Sequence, residues 1–278
     1  MKSLMDYLRA AGDLLIPRAC VVCGGPLGMY ERHLCLPCAA DVPYTRFWLQ
    51  AHNPLADRFN AVLERHRGTE PMAYAYAVAL LYYKGSYRNI PRALKYHSNL
   101  SIGRFYGSLL GRHMASAPHF ADIDLVIPVP LHWTRRRSRG YNQAEVLASA
   151  LASAFNAARS SVIPRSCVIP GSPVTSGSTG NLPSAVCRAD ILVRSRRTRT
   201  QTRLSVEQKA RNVASAFRVR EGRARDILAS ARHILLVDDT FTTGATLYAC
   251  YAALRPFTSA RISIATLAAV EGTPSANP

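Results

Sequence analysis

Two adjacent aspartates, Asp238 and Asp239, close an apolar run and are followed by threonines around a single glycine in the stretch LLVDDTFTTGAT, residues 235–246. Paired carboxylates accept hydrogen bonds from two neighbouring hydroxyl groups. The hydroxyls of Thr242, Thr243 and Thr246, and the backbone amides that Gly244 leaves uncovered, suit an anion, the more so with a helix expected to begin near Ala245 behind them. Such a site wants a phosphate beside a pair of hydroxyls, and a ribose 5-phosphate offers both.

A second cluster of chemistry-bearing residues lies near the N-terminus. Cys20-x2-Cys23 and Cys35-x2-Cys38 stand 11 residues apart, and each pair can present two sulfurs from one tight turn to a tetrahedral zinc ion. Gly24 and Gly25 let backbone amides approach the first pair. The second pair lacks such a glycine, and two disulfides are the alternative, which a reducing compartment disfavours. With all four positions filled by thiolates, such a zinc is structural. Cys167, Cys187 and Cys250 are scattered and read as packing residues.

These groups need elements to hold them. Residues 1–16 read as an amphipathic helix, 17–44 as the small cysteine module, 45–73 as a connector containing a helix, 74–270 as the main domain and 271–278 as a tail. Within the main domain, continuous apolar runs at 74–83, 124–130, 233–239 and 261–268 read as buried strands, the third ending at the acid pair. Helical periodicity marks residues 88–113, 142–155 and 244–255, where Asn142 is placed to cap the second. Strands alternating with helices predict an α/β fold on a parallel sheet, whose ligands bind at the carboxyl ends of the strands. The Gly-, Ser-, Thr- and Pro-rich stretch 169–184 reads as a flexible insertion.

The net charge is +18, from 35 Lys plus Arg against 17 Asp plus Glu in 278 residues. That surplus favours anionic partners such as nucleotides or nucleic acid, although a solvated basic surface would also produce it. No apolar run approaches the ~20 residues that cross a bilayer, and charges interrupt the N-terminal segment, so a cytoplasmic location is expected.

The stretch 235–246 resembles the phosphoribosyl-diphosphate motif of type I phosphoribosyltransferases: an apolar strand, two acids, then TTG-x-T. VIPVPLHWTRRRSRGYNQAEVLA (126–148), RRTRTQTRLSVEQKARNVASAF (196–217), LLYYKGSYRNIPRALKY (80–96) and the four-cysteine module are similar to the ComF branch, the competence-associated proteins of that fold. The resemblance covers about residues 14–268 apart from the insertion.

It implies a type I phosphoribosyltransferase-like fold in which Asp238 and Asp239 bind the ribose 2- and 3-hydroxyls, and Thr242, Thr243, Gly244, Ala245 and Thr246 cradle the 5-phosphate. Val129, Pro130, Leu131 and His132 would contact the diphosphate together with magnesium. The arginines at 135, 136, 137 and 139 would neutralise that diphosphate or form a solvated basic face. Arg197, Thr200, Gln201 and Arg211 match a loop that closes over substrate, and Arg197 joins the two aspartates as a candidate catalytic residue. The alternative for that basic segment is a hairpin on nucleic-acid phosphates. Lys84, Lys95 and Tyr96 fall in the region that selects the acceptor, Lys95 otherwise reading as a surface residue. Beyond phosphoribosyl diphosphate, the resemblance implies a link to DNA uptake through single-stranded DNA or a competence helicase. It departs from 6-oxopurine salvage enzymes at Thr242, where those carry an aspartate base. Thr240, aliphatic in many relatives, is small enough to be harmless.

Overall fold

A computed structural model of the chain describes residues 18–66, 73–96, 99–161, 184–194 and 216–272. The expected N-terminal helix, the insertion up to residue 183, and Cys167, Arg197, Thr200, Gln201 and Arg211 lie outside the described residues.

The chain is α/β. Five parallel strands form the central sheet: β1 (Ala77–Tyr82), β2 (Leu125–Pro128), β3 (Val186–Cys187), β6 (His233–Phe241) and β7 (Arg261–Ala269), in the spatial order β1-β7-β6-β2-β3. β4 (Leu192–Arg194) and β5 (Phe217–Val219) form a separate antiparallel ribbon. The apolar runs of β1, β2 and β7 are buried nearly throughout, as expected of parallel strands covered on both faces.

The helices are α1 (Leu36–Ala40), α2 (Pro54–Arg65), α3 (Asn89–Tyr96), α4 (Leu100–Ala115), α5 (Trp133–Arg139), α6 (Gln143–Ser161), α7 (Arg223–Ser230) and α8 (Ala245–Leu254). α2 starts where its sequence dictates: Pro54 occupies the first turn, and Asn53 Oδ1 accepts from the amides of Leu55 and Ala56 at 3.1 and 3.0 Å. The same Asn53 donates through Nδ2 to the Ala77 carbonyl at 3.0 Å, so one cap both begins α2 and fixes it to β1. Asn142 acts likewise on α6: Oδ1 accepts from Ala144 N–H at 3.2 Å and Nδ2 donates to the Val129 carbonyl at 3.0 Å.

α4 lies along α6 through a ladder of glycines, Gly103, Gly107 and Gly111, spaced one helical turn apart. A Cβ on Gly107 would sit 2.7 Å from the Leu147 carbonyl oxygen, and one on Gly111 would run into that of Leu151. The glycines let the two helix backbones approach more closely than any side chain permits.

Chain direction sets where a ligand fits. β2 continues through α6 to β3 on one side, whereas β6 continues through α8 to β7 on the other. The winding reverses between β2 and β6, which are hydrogen-bonded neighbours with Val126 opposite Leu235 and Pro128 opposite Val237. The carboxyl ends of this strand pair are the topological switch point, where open α/β sheets bind ligands.

Candidate functional site

Two of the stretches singled out in the sequence, 129–132 and 238–246, lie at the carboxyl ends of β2 and β6. The loop Val129–His132 leaves the end of β2, and Val129 N–H donates to the Val237 carbonyl at 2.8 Å, one residue before the acid pair. Val129 and His132 are buried, and His132 Nδ1 lies 2.8 Å from Thr134 Oγ1 and caps α5. Their side chains thus serve the scaffold, and the loop presents its backbone with the half-buried Pro130 and Leu131.

β6 does not stop at the aspartates. It runs on to Phe241 because β7 is equally long and pairs Asp238 with Thr266, Thr240 with Ala268 and Phe241 with Ala269. The expectation of a strand ending at the pair is therefore corrected. The two acids are consecutive strand residues with different nearest partners. Asp238 lies near Cys250 of α8 and Arg194 of β4; burial, then the charge of Asp239, pushes its carboxyl up to about 7. Its Oδ1 accepts from the Asp239 N–H at 2.8 Å. Asp239 instead faces α3, with its Oδ2 2.8 Å from Lys95 Nζ. Lys95 is therefore no plain surface residue.

On the Asp238 side of the sheet the hydroxyls of Thr240 and Thr266 are buried without a hydrogen-bond partner among the described residues. The Thr240 hydroxyl is thus not neutral where it sits, since an unsatisfied buried hydroxyl costs about 1–3 kcal/mol.

Beyond Phe241 the chain turns through Thr242 and Thr243, both exposed, to Gly244, which adopts φ +79° at the start of α8. This is left-handed backbone that glycine enters freely, and a Cβ there would also meet the Phe241 ring at 2.9 Å. Arg58 holds the turn from α2. Its guanidinium donates to the Thr242 carbonyl at 2.8 Å and the Val270 carbonyl at 2.6 Å, and stacks 5.2 Å from the Phe241 ring centre. Sequence reasoning missed Arg58, because nothing in its helical context marks a partner so far along the chain.

The basic segment beyond β4 is flanked by the β4–β5 ribbon, which pairs Arg194 with Phe217. The arginines at 135, 136, 137 and 139 lie on or at the end of α5, beside Trp133, which is 64% exposed.

At the N-terminal module the sulfurs of Cys20, Cys23, Cys35 and Cys38 all lie within 4.8 Å of one another, and the six described cysteines are all free. Cys23 and Cys35 Sγ are 3.7 Å apart. Sulfurs at ~2.3 Å from a common tetrahedral zinc are separated by roughly 3.8 Å, so the donors fit a structural metal. Burial disfavours the Cys20 thiolate, but hydrogen bonds from the backbone of Cys23, Cys35 and Val22 outweigh it and bring the thiol down to about 6, whereas burial and the neighbouring sulfurs push the Cys38 thiol well up. The thiolate is the ligand form, and four sulfurs this close all ionise only with a cation among them. The module is tied to the main domain by Tyr87, whose hydroxyl donates to the Cys38 carbonyl at 3.0 Å.

No helix among the described residues is long and apolar enough to cross a membrane. Compared with known proteins, the chain matches no family model and no curated protein.

Proposed function

We propose that this chain is a ComF-type protein of the type I phosphoribosyltransferase fold that binds phosphoribosyl diphosphate with magnesium and transfers or processes its ribosyl 5-phosphate. The observation that supports the reading is that two separate segments, Val129–His132 and Asp238–Thr246, lie at the carboxyl ends of the neighbouring strands β2 and β6.

In this reading the Asp238 and Asp239 carboxylates accept from the sugar hydroxyls, and the turn from Thr242 to Thr246 receives the 5-phosphate at the start of α8. The backbone after β2 faces the diphosphate. Displacement at the anomeric carbon builds positive charge on the sugar and negative charge on the leaving group. Little covalent help is needed; the protein positions the reactants and presents fixed charge of the right sign. Magnesium, when bound, would neutralise the departing diphosphate. With Thr242 in the turn, the proposal does not extend to oxopurine salvage. The four thiolates would hold zinc as a structural ion.

Calorimetry of phosphoribosyl diphosphate binding tests this, with and without magnesium, on wild type and Asp239→Asn. Magnesium-dependent binding that the variant loses is the expected result. An absence of binding by folded, zinc-loaded wild type would overturn it.

A second reading, a non-catalytic DNA-uptake adaptor, draws on one feature: Trp133 projects to solvent among the arginines of α5. Bases stack on aromatic side chains while arginines follow the phosphates. Anisotropy of a labelled single-stranded oligonucleotide should then fall steeply with salt and weaken in Trp133→Ala. Salt-independent binding, or none at low salt, would remove this reading.

A further inference from the structure

The acid pair already has a cationic partner. Lys95 Nζ stands 2.8 Å from Asp239 Oδ2, and the two side chains are 28% and 14% exposed. That shelter sets the contact apart from the ion pair of Lys84 with Glu271, where both side chains are 54% exposed and water competes for each charge.

The lysine is also delivered by a fixed element. The Tyr141 hydroxyl donates to the carbonyl of Leu94, the residue before Lys95. Asn89, at the other end of α3, reaches the Val22 carbonyl of the cysteine module at 3.4 Å, and Tyr87 binds that of Cys38 just before the helix. Lys95 is thus presented by a helix anchored both to the segment after β2 and to the module.

We propose that Lys95 is the resident cation of the acid pair: it fixes the Asp239 carboxylate through Oδ2, leaves Oδ1 to a ligand hydroxyl, and keeps divalent metal off the two carboxylates. The final consequence, that metal enters only on the diphosphate of the ligand, rests on the sugar-diphosphate reading above. The exclusion itself does not.

The charge balance supports the assignment. The charges of Asp239, Lys95 and Arg194 all act on Asp238, so the two acids lie within electrostatic reach of two cations. Removing Lys95 leaves two adjacent carboxylates with one cation, which is an environment that draws a divalent ion. Arginine at position 95 would keep the charge and so the exclusion.

The test is a titration of zinc-loaded protein with manganese alone at pH 8, followed by electron paramagnetic resonance. Wild type and Lys95→Arg should show no saturable manganese site linked to Asp239. Lys95→Met and Lys95→Gln should each acquire one, at least tenfold tighter than any in wild type, and Asp239→Asn added to either should abolish it. Two different replacements guard against one that folds poorly, and thermal melts verify folding. Wild type binding manganese as tightly as Lys95→Met, or a folded Lys95→Met and Lys95→Gln gaining nothing, would overturn the proposal. If no form of the protein binds phosphoribosyl diphosphate, the ligand reading fails while the manganese result still decides the role of Lys95.

Discussion

Arg58 Nη2 donates to the carbonyl of Thr242 at 2.8 Å across 184 residues of sequence, so the turn proposed to cradle phosphate is braced from the connector helix α2. The second arm of the same guanidinium binds the Val270 carbonyl at 2.6 Å.

Arg58→Ala should therefore loosen the turn without dissolving the fold. Two charge-assisted bonds, one to an exposed and one to a half-buried carbonyl, give way, a loss of about 1–2 kcal/mol in stability. Hydrogen exchange of the amides from 242 to 246 should speed up selectively, and ligand affinity should drop by roughly tenfold. Arg58→Lys should recover part of this, because an ammonium reaches one carbonyl but lacks the fork that spans both. Exchange at these amides that matches wild type would show that the brace is dispensable.

The glycine ladder makes an ordered prediction. Alanine in a helix is favoured over glycine by about 1 kcal/mol, so the sign of each substitution depends on the space available. At Gly103 the obstacles are the methyl ends of Leu94 and Val146 at 2.9 Å, which can move. At Gly107 and Gly111 they are the backbone carbonyls of Leu147 and Leu151, which cannot. Gly103→Ala should be near neutral, and Gly107→Ala and Gly111→Ala should cost about 1–3 kcal/mol, with Gly111 the worst. Urea midpoints for the three variants give the order directly.

These relationships show what a sequence displays and what it hides. The core strands were legible because continuous apolar runs have few other uses, and the cysteine module because thiolate pairs at two-residue spacing are rarely incidental. The acid pair and its threonines were visible as local chemistry. The far end of β6 was not, since it is strand only because β7 supplies partners as far as Ala269. Lys95 and Arg58 look like ordinary helix-surface residues until the fold brings Asp239 and Thr242 to them. The glycines of α4 read locally as poor helix formers, and their reason lies on α6. β3, with two residues, and β4 and β5, with three each, are too short for any periodic signal.

Metal removal should act first on the module. Four sulfurs within 4.8 Å of one another cannot all stay ionised once the cation leaves, so they take up protons and lose their common partner. Chelation, or Cys35→Ser, should release one zinc per chain and lower the melting temperature by several degrees, because the metal contributes folding energy directly. Through Tyr87 and Asn89 the loss should also loosen α3, read as faster amide exchange from 89 to 96. Protein that carries no stoichiometric zinc after expression in zinc-supplemented medium would refute the metal assignment.

The last prediction concerns pH and the opposite end of the sheet. His233 is fully buried, with Nδ1 2.7 Å from Asp122 Oδ1 and Nε2 2.8 Å from Ser263 Oγ. The arrangement has the contacts of a catalytic triad, yet Ser263 is 0% exposed, so no substrate reaches it and the network is structural. Nδ1–H donates to the carboxylate, and Nε2 accepts from the serine hydroxyl. Burial lowers the proton affinity of His233 below its ordinary value, and the attraction of Asp122 only partly offsets this. The unfolded chain therefore binds a proton at higher pH than the native one does. Stability is fully present above about pH 6.5 and falls as pH drops below it, by at most ~1.4 kcal/mol per pH unit for one such group. His33, His113 and His119 are lowered by burial too and add to the same slope. His233→Gln should flatten the dependence between pH 5 and 6.5 by the share of one proton while lowering stability at pH 8. Urea titrations across that range for both proteins measure the difference, and parallel curves would show that His233 carries none of the acid sensitivity.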